Sequence, residues 1–179
     1  ARVVYANADA LGHFEAALAL GHPAIAELHE SIGDLETLDG RFDAAIASYE
    51  RSAARCGPDD VHRLERKLGG VHQRCGQLAT AERHQRAALS ALSDDAPAAA
   101  RALILADLAI TVHRLGDDAR AADLAGRAVS EAERSDDDAA RTNAGTVAGL
   151  LAASRGDAAA ARALLTASFE VASRLEDPG

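Results

Sequence analysis

The spacing of three histidine and cysteine residues comes near to that of a metal site. His72 and Cys75 lie one helical turn apart, and His84 falls in the next predicted helix. Imidazole and thiolate groups are ligands that zinc prefers, but a structural zinc site takes four ligands. The sequence supplies no clear fourth ligand, so we expect neither a metal nor another cofactor.

The sequence also lacks the short motifs that position a nucleophile or a phosphate group. It has no GxSxG elbow, no Walker-type phosphate-binding loop and no HExxH pair. The paired acids Asp59-Asp60 and Asp117-Asp118 fall at predicted turns, where helix capping explains them without catalysis. We therefore expect a protein that is not an enzyme.

Composition favours closely packed helices. Of 179 residues, 48% are hydrophobic but only 3% are aromatic, so alanine and leucine provide most of the packing. The net charge of −9 argues against a non-specific nucleic-acid or anionic-membrane surface, which needs concentrated positive charge. Lys67 is the only lysine, so a local basic patch would consist mainly of arginine, which suits forked recognition of carboxylates.

The cysteine content and the start of the sequence bear on where the protein works and on whether it is part of a longer chain. Cys56 and Cys75 are too few for a disulfide framework, which favours a reducing cytoplasm. The sequence has neither a long apolar run nor a signal-peptide pattern. It lacks methionine and opens on a helix-like run, so we expect a piece of a larger protein.

Four glycines divide the chain into similar lengths. They are 36, 40 and 40 residues apart, and an alanine follows each of them five residues later; the pairs are Gly40 with Ala45, Gly76 with Ala81, Gly116 with Ala121 and Gly156 with Ala161. This pattern predicts one continuous domain over residues 24–179, made of four helix pairs at about 24–57, 58–96, 97–136 and 137–175. The helices themselves are expected at 24–39 and 41–56, 60–75 and 77–92, 98–115 and 117–134, and 139–155 and 157–175. The same glycine-to-alanine spacing, from Gly12 to Ala17, predicts a shortened partial repeat in residues 1–23, with a turn at Gly12 and a second helix that Gly21-His22-Pro23 ends early.

Further positions recur within each pair. A small residue precedes the turn glycine by seven positions in all four pairs, at Gly33, Gly69, Ala109 and Gly149. In the second helix, larger residues mostly follow the recurring alanine, at Tyr49, Gln85, Ala125 and Leu165, and small ones come next, at Ser52, Ala88, Ala128 and Ser168. Small residues at a fixed helical position indicate close helix crossings. Acidic or proline-containing segments precede three of the first helices, at 58–60, 94–97 and 136–138, which is typical of helix N-termini.

This order resembles the tetratricopeptide repeat (TPR) over residues 24–175. The resemblance implies an all-α fold, a right-handed α-solenoid of stacked antiparallel helix pairs. The sequence departs from the family where His29 and Glu65 replace a bulky residue, where Gln85 replaces an aromatic residue and where His72 replaces a tyrosine. The spacing also exceeds the usual period of about 34 residues.

The resemblance further implies a concave groove lined by the first helix of each pair, which binds a protein or peptide partner. The expected groove residues are Glu27, Glu30, Asp34, Arg63, Arg66, Lys67, Arg74, Leu103, Ile110, His113, Arg114, Asn143, Thr146 and Leu150. They run from acidic through basic to apolar. The lysine and asparagine clamp that binds chaperone tails is absent, because its positions hold Glu30, Asp34, Arg66 and Gly70.

The long periods and arginine-rich composition resemble the helical regions of bacterial multidomain signalling proteins. We therefore expect a non-catalytic scaffold that binds a protein or peptide within such a bacterial regulatory protein, without direct nucleic-acid or membrane contact. A receptor for a small signal, such as an oligopeptide, is one alternative. Self-association through the last helix is another, and it would use the apolar residues Leu164, Leu165, Phe169 and Val171.

Overall fold

The computed structural model describes residues 2–176 of the chain, and the side chains of residues 7–174. This part of the chain is helical and contains no strand. Its α-helices are α1 (Arg2–Ala19), α2 (Ile25–Leu38), α3 (Phe42–Ala53), α4 (Val61–Arg74), α5 (Leu78–Ser90), α6 (Ala98–Arg114), α7 (Asp118–Glu133), α8 (Asp138–Ser154) and α9 (Ala158–Glu176). A short 3-10 helix, Pro58–Asp60, precedes α4. Within residues 2–176, none of the helices combines the length and the apolar character needed to cross a bilayer.

The chain divides into two compact units, residues 1–84 and 85–179, and the boundary falls within α5. In the first unit α2 packs against α1 and α3, and α3 packs against α4. In the second unit α6 packs against α7, α8 packs against α9, and α8 also contacts α6 and α7. The predicted helices are therefore present, and they begin and end within a few residues of the expected positions. Three of the predicted pairs, α2 with α3, α6 with α7 and α8 with α9, pack together as expected. That the four pairs form one continuous domain stays a prediction.

The four repeating glycines form the predicted turns within the pairs. Gly40, Gly76, Gly116 and Gly156 have φ angles of 74°, 76°, 91° and 82°, a left-handed conformation that favours glycine. Aspartates cap two of the helices that follow such turns, because the Asp117 and Asp157 carboxylates accept bonds from the Arg120 and Ala160 backbone N–H groups at 3.0 Å. Asp137 caps α8 in the same way.

The turn predicted at Gly12 is wrong. α1 continues through Gly12 to Ala19, and the left-handed glycine in this part of the chain is Gly21, which precedes α2. Alanine, leucine and glutamate, which are good helix formers, make up most of residues 8–19 around Gly12, so a glycine that costs about 1 kcal/mol relative to alanine does not end the helix. That residues 1–23 belong to a partial repeat stays a prediction.

Recurring small residues mark the helix crossings. Ala45, Ala81, Ala121 and Ala161 are buried, with at most 6% of their surface exposed. A Cβ atom built on Gly33 would lie 2.7 Å from the Tyr49 ring, and one on Gly149 would lie 2.7 Å from Leu165. The close helix crossings predicted at these small residues are thus confirmed at Gly33 and Gly149, where the neighbouring side chains are Tyr49 and Leu165 of the second helix.

Gln85 is a buried polar residue at the position that Tyr49, Ala125 and Leu165 occupy in the other pairs. The side chain is fully buried, and within the described structure neither its amide nitrogen nor its amide oxygen has a hydrogen-bond partner. We expect Gln85→Leu to raise the free energy of unfolding by about 1–3 kcal/mol, since it removes the desolvation cost of an unpaired buried amide. Urea unfolding measures the change. Arg83→Leu, at an exposed position of α5, is the control and should change stability by less than about 0.5 kcal/mol. A loss of stability in Gln85→Leu would mean that the amide is hydrogen-bonded.

Candidate functional site

Helices α2 and α4 bring together several of the residues expected to bind a partner. Glu30 and Asp34 are four residues apart on α2, and Arg63 and Lys67 are four apart on α4, so each pair lies on one helix face. The Lys67 Nζ atom is 2.7 Å from Glu30 Oε1 and 2.7 Å from Asp34 Oδ1. Arg63 pairs with Glu30, and its Nη2 atom is 2.6 Å from Asp60 Oδ1. These five residues are called the charge cluster below.

Tyr49 of α3 contacts two residues of the charge cluster, Asp34 and Lys67. Only 2% of this residue is exposed, and its hydroxyl group donates a hydrogen bond of 2.8 Å to Asp34 Oδ1. Lys67 Nζ lies 5.7 Å from the centroid of the Tyr49 ring, within the range of a cation–π contact. Burial raises the pKa of Tyr49 above its ordinary value, so the phenol stays a neutral donor.

The charge cluster is partly buried, and its charges depend on one another. Glu30 is only 7% exposed, so its carboxylate requires the two cations that contact it. Burial alone would lower the pKa of Arg63, but hydrogen bonds to Glu30 and Asp60 raise it above its ordinary value. The acidic and basic positions of the expected groove therefore pair with each other in the first unit.

The other expected residues of the first unit lie near the charge cluster in sequence. Glu27 is exposed in the first turn of α2. Arg66 is half-buried on α4, and Arg74 is exposed in its last turn, where a cation interacts favourably with the helix dipole. The exposed charges on this face of the first unit are thus of both signs.

In the second unit, the expected residues divide between core and surface. Leu103 and Ile110 are half-buried and pack against the apolar core of α6, α7 and α8. The His113 Nδ1 atom is 2.6 Å from Asp118 Oδ1, and Arg114 is exposed. On α8, Asn143 and Thr146 are half-buried, and Leu150 is 55% exposed. Within the described residues the Asn143 amide oxygen is buried and has no hydrogen-bond partner.

The histidines considered for a metal site stack on each other. The His72 and His84 rings have centroids 5.1 Å apart and planes that differ by 5°. His72 Nδ1 is 2.6 Å from Gln77 Oε1, and His84 Nδ1 is 2.8 Å from Glu65 Oε2. Glu65, at which the sequence departs from the TPR pattern, thus contacts His84. In the described part of the chain, no three His, Cys, Asp or Glu side chains are grouped as metal ligands.

His29, another departure from the TPR pattern, lies where α2 meets the end of α3. Burial, together with the nearby guanidinium groups of Arg51 and Arg55, lowers the pKa of His29 below its ordinary value. His29 stands where the TPR pattern has a bulky residue. Its lowered pKa favours the neutral imidazole in this partly buried position. Its Nδ1 atom is buried and has no partner among the described residues.

The sequence analysis did not identify a polar cavity of about 310 Å³ in the first unit. It lies where the beginning of α2, the end of α3 and the beginning of α4 meet, and we call it the α2–α3–α4 cavity. Its walls include Glu27, Glu30 and Arg63, together with Ser52 and Arg55. The repeat pattern predicted Ser52 only as a small residue at a helix crossing.

Comparison with known proteins relates this chain to others by fold. No protein-family model matches the sequence, and no curated protein matches it. A chain of the Cut9–Hcn1 hetero-tetramer of APC/C is similar, with a TM-score of 0.77 and 15% identity over 94% of this chain, which spans 30% of that one. BtubC from P. vanneervenii gives a TM-score of 0.72 and 20% identity, with 95% of this chain and 72% of that chain covered. YrrB, described as a TPR protein with an unusual peptide-binding site, gives a TM-score of 0.59 and 17% identity, with 95% of this chain and 80% of that chain covered. The chain therefore has the fold of the tetratricopeptide repeat proteins, as its sequence predicted.

Proposed function

We propose that this chain is a non-catalytic scaffold that binds a protein or peptide partner through the first helices of its pairs. In the first unit the binding face consists of α2 and α4, with the charge cluster at its centre and Arg66 and Arg74 beside it. In the second unit the corresponding face consists of α6 and α8, where His113, Arg114, Asn143 and Leu150 lie.

The observation that carries this proposal is the order of the charge cluster before any partner binds. Lys67 contacts two carboxylates at 2.7 Å, and Tyr49 holds one of them. Side chains that are already fixed lose little entropy on binding, so more of the contact energy contributes to affinity. A loose set of surface charges would offer no such advantage.

The chemistry of α4 favours a partner with carboxylate groups. The anions of the charge cluster have cations as partners within the cluster. On the same helix, α4 carries two further guanidinium groups, that of the half-buried Arg66 and that of the exposed Arg74. Arginine binds carboxylates through two parallel hydrogen bonds. We therefore propose an acidic peptide segment as the partner of the α2–α4 face.

The TPR fold supports a role as a binding scaffold. The cellular location and the parent protein are further parts of the proposal. YrrB, one of the structures similar in fold, is described by its peptide-binding site, and we propose peptide binding for this chain as well. We also propose that it acts in the cytoplasm as part of a bacterial regulatory protein, as its composition predicts. Direct contact with nucleic acid is not expected, because the net charge is −9.

Peptide selection tests this proposal. The chain would be immobilised and exposed to a phage-displayed library of random peptides, and the affinity of a selected peptide would be measured by calorimetry. We expect acidic sequences, and we expect Arg66→Gln with Arg74→Gln to weaken binding by about tenfold or more, since hydrogen bonds to charged groups contribute about 1.5–3 kcal/mol. Neither substitution removes a cation of the charge cluster, so the chain should stay folded.

The control is a second pair of substitutions at exposed arginines, Arg83→Gln with Arg127→Gln on α5 and α7. It makes the same change in net charge and should leave the affinity within about twofold, since it removes no proposed contact. If both pairs of substitutions weakened peptide binding equally, the loss of affinity would come from the change in net charge and not from contacts of Arg66 and Arg74. Unchanged binding in the Arg66 and Arg74 variant would remove the α2–α4 face from the proposal.

Self-association through α9 is the second candidate, and one observation favours it. Phe169 is 73% exposed, which is unusual for a large aromatic residue. The other apolar residues expected there, Leu164, Leu165 and Val171, are half-buried within the unit. Light scattering over a concentration series, performed before the binding measurements, distinguishes a monomer from a dimer.

A further inference from the structure

Phe169 on α9 occupies a repeat position that packing covers in the preceding pair of helices. The residue is 73% exposed. At the same position of the repeat, 40 residues earlier, Val129 of α7 is half-buried and packs against the apolar core of the second unit. Aromatic residues are enriched where proteins bind one another. The face of α9 around Phe169 is therefore a candidate interface.

Two residues of opposite charge lie on the exposed side of α9. Arg162 and Glu170 are exposed, and within the described part of the chain neither has an ion-pair partner. Both line a shallow depression on the helix together with Thr166, which lies midway between them. In α7 the position of Arg162 holds the half-buried Ala122. A surface that covered Arg162 in the same way would have to supply an anion, because an unpaired buried charge is costly.

The spacing of the two charges makes this face complementary to a second copy of itself. Arg162 lies four residues before Thr166, and Glu170 lies four residues after it, about 6 Å along the helix axis in each direction. If a two-fold axis at Thr166 relates two antiparallel helices, Arg162 of each copy is level with Glu170 of the other. In a parallel pair, each charge would be level with the same charge of the other copy, which is unfavourable.

The same register also matches the uncharged residues of the face. Phe169 lies three residues after Thr166 and becomes level with Ala163, three residues before it, so the aromatic ring meets a small side chain. Ala159 becomes level with Ser173, and both are small and exposed, so the helices can approach closely. One register therefore pairs opposite charges and places large residues against small ones.

We propose that α9 pairs with the α9 helix of a second copy of this chain, antiparallel about a two-fold axis at Thr166. Two ion pairs between Arg162 and Glu170 form on either side of the axis, and each Phe169 ring packs against Ala163 of the other copy. This inference rests on self-association through α9, the second candidate function, and adds the face, the orientation and the contacts.

Analytical ultracentrifugation of the whole chain over a concentration series tests the ion pairs. The interface is formed by one helix and is therefore small, so the series extends to millimolar concentrations. Arg162→Glu brings glutamates level with each other twice and should raise the Kd of the dimer by at least about tenfold. Arg127→Glu on α7 makes the same change in net charge and should change the Kd by less than about threefold, since it lies outside the proposed interface.

Exchange of the two charges distinguishes pairing from a loss of fold. The double variant Arg162→Glu with Glu170→Arg restores both ion pairs with their signs reversed, so its Kd should return to within about threefold of the native value. Circular dichroism confirms that each variant is folded.

Phe169→Ala tests the apolar contact of the dimer. It should weaken the dimer by about tenfold or more, because two aromatic rings leave the interface. Leu20→Ala is the control, since Leu20 is an 87% exposed apolar residue of the first unit. An equal effect of both substitutions would overturn the contact with Ala163.

A cysteine at the centre of the face tests the position of the two-fold axis. In Thr166→Cys the new thiol lies opposite its own copy, so mild oxidation should link the chains as a disulfide dimer. Gly126→Cys, at the same repeat position of α7, should not form this dimer. The native chain under the same conditions shows any linkage through Cys56 or Cys75.

The possible failures can be told apart. A chain that stays monomeric at millimolar concentration would overturn this inference and self-association together. A dimer that Arg162→Glu leaves intact, or that the charge exchange does not restore, would retain self-association but overturn the antiparallel pairing. Peptide binding by α2 and α4 is tested separately, because Arg162→Glu should bind an acidic peptide as tightly as the native chain does.

Discussion

Gly33→Ala should lower the free energy of unfolding, although alanine is the better helix former. The new Cβ atom would lie 2.7–2.8 Å from two carbons of the Tyr49 ring, which is buried and hydrogen-bonded to Asp34. Overpacking of this kind costs about 1–3 kcal/mol, against a gain of up to about 1 kcal/mol in helix propensity. Urea unfolding followed by circular dichroism and tyrosine fluorescence measures the net loss.

Gly70→Ala provides the matched control. Gly70 also lies within a helix, but a Cβ atom there would meet nothing within 4 Å. The substitution should therefore raise stability by about 0.5–1 kcal/mol. Opposite signs for the two variants would support the helix crossing at Gly33, whereas a gain of stability in both would mean that Tyr49 does not pack there.

The second large effect is expected in the charge cluster. Replacing both Arg63 and Lys67 with alanine leaves the buried Glu30 carboxylate without a cation. Loss of the partner of a fully buried charge costs about 3–5 kcal/mol. We expect about 2–3 kcal/mol here, because the Arg63 and Lys67 side chains are 43% and 27% exposed and water would reach the site. Urea unfolding at moderate ionic strength measures the loss.

Two further variants distinguish an unpaired charge from lost packing. Adding Glu30→Gln to the double variant should restore at least about 1 kcal/mol, since it removes the unpaired anion. Arg127→Ala removes an exposed ion pair with Asp123 and should change stability by less than about 0.5 kcal/mol. A double variant as stable as the native chain, or one that Glu30→Gln does not improve, would contradict the electrostatic role of the cluster.

The sequence predicted the helix pairs well because their signals are local. A glycine in the left-handed conformation ends each first helix, and an alanine five residues later lies at the crossing, so the pattern can be recognised without tertiary structure. Gly12 has the same spacing, but its neighbours favour helix and α1 continues through it. Spacing alone therefore cannot distinguish a turn glycine from a helical one.

The interactions within the candidate site depend on tertiary packing and could not be predicted. Each member of the charge cluster on α2 and α4 was identified singly, yet the sequence did not show that Lys67 would contact Asp34, 33 residues away. Ser52 was recognised as a small residue, but whether its hydroxyl finds a partner depends on the packing of three helices. Pairing and orphaned polar groups are properties of the folded chain.

The measurement that tests the central claim most directly is a map of peptide binding by nuclear magnetic resonance. The isotopically labelled chain would be titrated with an acidic peptide selected as described above. The proposed function predicts chemical-shift changes concentrated in α2 and α4, including Lys67 and Arg74, and their loss in the Arg66→Gln and Arg74→Gln variant. Changes confined to α3 and α5, or changes that the variant leaves intact, would contradict peptide binding by the first helices.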